Sequence, residues 1–328
     1  MQKNVFFVLL TALLTLTACG APAAPVSLPD AGKAPSVTVN TDEPVLADSS
    51  VVNNSSTRDN TPVCLVPEAP GTDVEQNDLV ILDYSNAREG YVMVNYLGNV
   101  SKVKLQVKGP NQVTYTYDIK NGFEAIPLTS GDGSYEISVC ENIEGTKYSL
   151  SFKTDISVSG ISEFGPYLYP NQYVNFNKDC KTVAKGAELA AQSATDLDVV
   201  SNVYNYIISN IVYDYDKADN VKSGYISNVD EILDSNTGIC LDYAAVMTSM
   251  LRTQSIPTRL EVGYVGKDMV YHAWISVYIE DIGWLNGVIQ FNGKEWSLVH
   301  PTFGASTNEK KLKEYIGSGD NYSTKYVY

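Results

Sequence analysis

The sequence predicts an α+β protein built in two parts, an all-β region followed by a region in which helices precede strands. Three observations carry that expectation. Between residues 62 and 160, short runs rich in Val, Ile, Tyr and Thr alternate with turn signals, and no helical pattern intervenes. From about residue 170 the apolar residues recur three and four apart. Beyond residue 258 the pattern returns to short β-type runs.

The chain opens with Lys3 and the apolar run VFFVLLTALLTL, which has signal-peptide length and is short for a membrane span. The run ends in Leu16-Thr17-Ala18-Cys19-Gly20, which resembles the bacterial lipobox. That resemblance implies a signal peptide over 1–18 and a diacylglycerol on Cys19. The expected product is an exported lipoprotein, tethered to a membrane without spanning it. It would sit on the outer face of a bacterial cell membrane, or in the periplasm where an outer membrane is present. Residues 19–61 are rich in Ala, Pro, Ser, Thr, Asn and Asp, with no sustained periodicity, and read as a disordered linker reaching roughly 35 Å.

Over 62–160 the runs LVILDYS, YVMVNYL, KVKLQVKG, QVTYTYDI, GSYEISVC and TKYSLSFKTDISV are separated by GPNQ, KNG, SGDG and ENIEG. Strands at this spacing suggest a small antiparallel sandwich of immunoglobulin-like type. The alternating tyrosines suit packing and strand pairing better than a ligand stripe. No residue of this region points to chemistry, and a spacer or a carbohydrate- or peptide-binding module is the expectation for it.

The second part, 161–328, begins with TVAKGAELAAQSA and TDLDVVSNVYNYIISN, both helical in period. The second has Thr195 as N-cap and acids in its first turn. VDEILDS and LDYAAVMTSMLRTQ continue the helices. RLEVGYV, HAWISVYIE, WLNGVIQFNG and KEWSLVHPTFG supply the strands. The VYDYD stretch between helices reads as a loop. Its Tyr213 and Tyr215 either line a substrate cleft or lie on an ordinary acidic-aromatic surface, and Trp274 borders the same region.

Composition narrows the partners. The formal net charge of −15 argues against nucleic acid. No cofactor and no metal are expected. Among Cys64, Cys140 and Cys180, one disulfide plus one free thiol is the simplest arrangement for an exported chain. A Cys64–Cys140 bridge would staple the two ends of the β region, although sequence leaves the connectivity open.

Chemistry concentrates around Cys240. Gly238-Ile239-Cys240 opens a helix whose core face would be Leu241, Ala244, Ala245, Thr248 and Leu251. A thiol at a helix N-terminus meets unpaired N–H groups and the positive end of the dipole, which favour a thiolate. A nucleophilic cysteine also needs a base, normally histidine. The chain has only two histidines, His272 and His300, and both follow Cys240 beside aromatic residues.

Four features in order resemble the transglutaminase-like superfamily, whose core is papain-like. They are Gly238-x-Cys240, Ile256-Pro257-Thr258-Arg259 leading to Gly263-Tyr264, His272-Ala273-Trp274, and Trp296 followed by Pro301-Thr302. The resemblance covers about 175–305. It implies acyl transfer in which Cys240 attacks an amide carbonyl and His272 moves the proton. The Cys240 N–H and a second donor would hold the oxyanion. It further implies an acyl-enzyme that passes to water, as in a protease or amidase, or to an amine, as in a transglutaminase. Peptide, protein or cell-wall peptide is the implied substrate. The family usually has aspartate before Pro-Thr, and this chain has His300. A neutral imidazole can fix the His272 tautomer but cannot stabilise its cation. A Cys240–His272–His300 arrangement with weakened activity is therefore expected, the alternative being an inactive scaffold for surface binding or adhesion. A purely structural envelope role is a third expectation.

Overall fold

The computed structural model describes residues 58–265, 269–280, 282–287, 289–291, 296–298 and 322–328. Cys19, His300 and Asp281 lie outside the described residues. The first described residues already grip the helical part. Arg58 pairs with Asp196 at 2.5 Å, the Asn60 side chain donates to the Ser193 carbonyl at 2.9 Å, and the Val63 N–H donates to the Thr253 carbonyl at 2.8 Å. Residues 58–61, expected in the linker, therefore form an anchored strap.

Eight strands follow: β1 Val74–Gln76, β2 Val80–Asp83, β3 Tyr91–Tyr96, β4 Val103–Lys108, β5 Thr114–Ile119, β6 Phe123–Pro127, β7 Gly133–Glu144 and β8 Lys147–Val158. They form two antiparallel four-stranded sheets, ordered β1-β2-β3-β6 and β5-β4-β7-β8. Burial alternates with the two-residue period of a strand. Val103, Leu105 and Val107 of β4 and Tyr115, Tyr117 and Ile119 of β5 point inward. The tyrosines of β5 thus do the packing that their alternation suggests. The short strands β1 and β6 carry acids or a proline and give no clear strand signal in sequence.

The second part runs α1 Lys181–Ala190, α2 Asp196–Asn210, β9 Val212–Tyr213, α3 Tyr215–Asn220, α4 Val229–Ser235, β10 Thr237–Gly238 and α5 Cys240–Arg252. Then come β11 Thr258–Val265, β12 Val270–Ile279, β13 Gly283–Leu285, β14 Ile289–Phe291, β15 Trp296–Leu298 and β16 Tyr322–Val327. The main sheet is antiparallel in the order β13-β12-β11-β16. Helices first and strands afterwards is the expected α+β order. The VYDYD stretch is not a plain loop: it holds β9 and the start of α3.

Helix α5 departs from the one-sided helix that its period suggests. Every residue from Asp242 to Arg252 is buried, because α1, α2 and α4 pack on it as well as β11 and β12. A helix enclosed on all sides must satisfy its polar groups internally. Arg252, 1% exposed, does so by donating to the carbonyls of Thr258, Tyr169 and Tyr328. The β region meets this second part through a tyrosine cluster. Tyr328 packs on Tyr173, with centroids 4.0 Å apart, and edge-on against Tyr115 and Tyr117.

Gly263 is required where β16 crosses β11. A Cβ there would lie 2.1 Å from the Ser323 carbonyl oxygen, beside a bulge in the pairing. Among the described residues Arg259 is stacked on aromatic rings: its guanidinium carbon lies 3.6 Å from the Trp284 ring centroid and 4.7 Å from that of Tyr167.

Candidate active site

Helix α5 begins at Cys240, as the Gly-x-Cys pattern predicts, with Ile239 extended at the N-cap. An isoleucine cannot cap with its side chain. Asp242 replaces that function by turning back, and its carboxylate accepts the Ile239 N–H at 2.9 Å. This explains Gly238, because a Cβ there would meet the Asp242 Cβ at 2.8 Å. Asp242 is fully buried, and its charge is met by the Lys217 ammonium and the Tyr225 hydroxyl, each at 2.7 Å.

Two strand contacts bring partners to the thiol. β10 pairs in parallel with β9, so that Gly238 lies opposite Tyr213. The Asp214 N–H donates to the Gly238 carbonyl at 2.9 Å, and the Val212 N–H to the Asn236 carbonyl at 2.8 Å. This bridge sets Tyr213 close to Cys240, whose thiol and backbone N–H both act electrostatically on the Tyr213 hydroxyl. Tyr215, 57% exposed, stands edge-on to Tyr213 with centroids 5.0 Å apart. On the other side, the Ala273 N–H of β12 lies near enough to the Cys240 sulfur to favour its thiolate. His272 is the residue before Ala273 on β12 and is buried, and Trp274 is buried two residues further along the same strand.

The electrostatics differ from a preformed thiolate. Burial raises the Cys240 thiol above its ordinary pKa. The N–H groups of Ala273 and Leu241 oppose this, and the Asp242 charge reinforces it. The helix N-terminus therefore does not win at rest, and the thiol keeps its proton at neutral pH. Burial pushes His272 down to about 4, so its imidazole is neutral. Its Nε2 is buried and has no hydrogen-bond partner among the described residues. The resting pair is a neutral thiol and a neutral base.

Tyr213 and the Ala273 backbone are thus set beside Cys240, and Tyr215 beside Tyr213; His272 and Trp274 flank Ala273 on β12, and His300 falls outside the described residues. Glu280 is exposed at the far end of β12. Sequence reasoning missed the Ala273 N–H and the Asp242–Lys217–Tyr225 group. A backbone donor has no residue signature, whereas an acid two residues beyond a helix-opening cysteine is a signal that could have been used.

Residues 183–287 match the family model of the transglutaminase-like superfamily. Members of that superfamily are generally cysteine-based enzymes. Among curated relatives, UPF0252 protein MJ1282 of Methanocaldococcus jannaschii is 30% identical over 92 residues, covering 25% of this chain and 26% of that protein. A solved structure of a candidate cysteine protease from Cytophaga hutchinsonii is 13% identical with a TM-score of 0.33, covering 64% of this chain and 66% of the other. Red sea bream transglutaminase is 12% identical with a TM-score of 0.30, covering 69% of this chain and 53% of its own.

Proposed function

We propose that this chain is an exported, lipid-anchored cysteine acyl-transfer enzyme acting on peptide or glutamine-type amide bonds. The observation that carries the reading is the setting of Cys240. Its sulfur lies at a helix start, between the Ala273 N–H of the histidine strand and the Tyr213 hydroxyl. His272, neutral at pH 7, takes the thiol proton as the sulfur attacks the carbonyl carbon. It then returns that proton to the leaving amine. The Cys240 N–H and the Tyr213 O–H are the proposed donors for the oxyanion. Water is the default acceptor of the acyl group, which favours hydrolysis over cross-linking. His300 is the proposed partner of the second ring nitrogen of His272. On that reading His300→Ala lowers thiol reactivity and His300→Asp preserves or raises it.

Anchoring through Cys19 supports action on peptide, protein or cell-wall peptide at the membrane surface. We read the β region as an immunoglobulin-like sandwich, on its two sheets and their strand order. A second reading has a specific observation in its favour. The raised thiol and the lowered imidazole give no ion pair at rest, which suits a catalytically weak scaffold for surface binding. An activated peptide ester, with acyl-enzyme detected by mass spectrometry, separates the two. The enzyme reading expects an adduct on Cys240 that is lost in Cys240→Ala. The scaffold reading expects ligand binding to persist in that variant, with no adduct in either protein.

A further inference from the structure

All four described cysteines are thiols in this structure, so the disulfide expected among Cys64, Cys140 and Cys180 is not formed. Cys240 opens α5, and the return of β11 along that helix settles which side chains reach its end. The C-terminal end of α5 is pinned to the start of β11. The Ile256 N–H donates to the Leu251 carbonyl at 3.1 Å, and the Arg252 guanidinium to the Thr258 carbonyl at 2.9 Å. Helix α5 packs on β11 and β12, and Leu260, Val262, Ala273 and Ile275 share its core. Its 13 residues rise about 20 Å, the length of about six strand residues. Six residues on from Thr258 is Tyr264, which pairs with Tyr271. The start of α5 therefore lies level with Tyr264 and Tyr271. Strand alternation puts both on the face of Val262 and Ala273, the face that meets the helix. Their rings stand edge-on with centroids 5.4 Å apart. A second edge-on pair, Tyr213 and Tyr215 at 5.0 Å, is seated beside Gly238 by the β9–β10 bridge. The Cys240 sulfur acts electrostatically on one member of each pair, Tyr213 and Tyr271. Both pairs open to solvent: Tyr271 is 49% exposed, and the neighbouring Val212 and Val270 are 67% and 51% exposed.

We propose that the tyrosine pairs Tyr213–Tyr215 and Tyr264–Tyr271, with Val212 and Val270 at their rims, form the subsite for the acyl residue, and that it takes a large apolar or aromatic side chain. The acyl residue is the part of the substrate bonded to sulfur during the reaction, so its side chain is the one these rings meet. Ring faces and valines gain by covering apolar area, and aromatic pairs add to that gain through their geometry. A glutamine or lysine side chain offers less apolar area and brings a polar end that must be desolvated. The nearby cation Lys217 is held by Asp242 and Tyr225, which leaves no ready partner for an acidic side chain. The inference rests on the acyl-transfer reading of Cys240. It narrows the substrate from peptide or glutamine-type amides to peptide bonds that follow a bulky apolar residue.

The test uses the full chain in detergent with activated esters of acetylated phenylalanine, leucine, glycine, glutamine and lysine. The readout is the rate of Cys240 acylation, each ester being scaled by its reaction with a simple thiol. Phenylalanine and leucine should exceed glycine by about 10–100-fold, with glutamine and lysine below leucine. Tyr215→Ala and Tyr271→Ala should each lower the phenylalanine-over-glycine ratio by about fivefold or more, and Tyr271→Phe should keep it. Equal rates for all five esters, a preference for glutamine or lysine, or a ratio untouched in both alanine variants overturns the proposal. Binding of acetylated phenylalanine and glycine peptide amides to Cys240→Ala, followed by NMR, separates this inference from the reading beneath it. Preferential binding of the phenylalanine peptide, with no ester reacting at Cys240 of the wild type, supports the subsite and refutes the enzyme. Acylation without any preference, matched by equal binding, refutes the subsite and leaves the enzyme standing.

Discussion

Helices α2 and α5 begin in opposite ways. The start of α2 is built from short-range parts: the Thr195 hydroxyl accepts the Asp198 N–H at 3.2 Å, and the Asp198 carboxylate accepts the Thr195 N–H at 2.9 Å. The start of α5 has Ile239 at the cap, Cys240 in the first turn and a buried carboxylate at Asp242 that needs Lys217 and Tyr225. One end is closed by its own four residues. The other is held by groups from three elements and keeps a thiol at its tip. The contrast teaches that a weak local cap, repaired from a distance, marks the end to which the proposed chemistry is assigned.

The comparison can be broken at several points. The largest effect is expected at the thiol and its base: Cys240→Ala abolishes acyl transfer, and His272→Ala lowers it by about 10³-fold or more, read as kcat/KM on a peptide amide or ester. Next comes Asp242→Ala. It leaves the Ile239 N–H, the Tyr225 hydroxyl and a partly exposed Lys217 without their partner, and should cost about 2–4 kcal/mol in urea unfolding. Tyr213→Phe removes the proposed oxyanion donor and should lower kcat by about 10²-fold with little change in Tm. The smallest effect belongs to Thr195→Ala, about 1 kcal/mol of stability with kcat unchanged. If Thr195→Ala changed kcat as much as Tyr213→Phe, the distinction between the two helix starts would collapse.

Protonation gives a further test of the buried base. The folded His272 pKa of about 4 lies below its ordinary value of 6.5. The unfolded chain therefore binds the extra proton first as pH falls. Stability should be complete above about pH 6.5 and decline between 6.5 and 4, by up to about 3 kcal/mol. His272→Ala should flatten that limb when Tm is followed against pH.

What the sequence made legible follows the same division. The Thr195 cap, helix α4, the start of α5 at Cys240 and the histidine strand are each written in a few consecutive residues. The burial of α5 on all sides was not legible, because its period reports one apolar stripe and not the number of elements packed around it. Nor was the place of Tyr213, which depends on a two-residue parallel bridge between segments 24 residues apart (Tyr213 and Thr237). The neutral state of Cys240 was misjudged for a similar reason, since the helix N-terminus is a local feature and burial is a global one.

The central claim is that Cys240 attacks through a neutral His272. The most direct measurement is the pH dependence of Cys240 acylation by an activated peptide ester, in wild type and in His272→Ala. The account predicts a rate that rises between about pH 3 and 5, stays level through neutrality, and falls by about 10³-fold in the variant. A rate that instead climbs with pH past 9, equally in both proteins, would be that of an ordinary thiol and would contradict it.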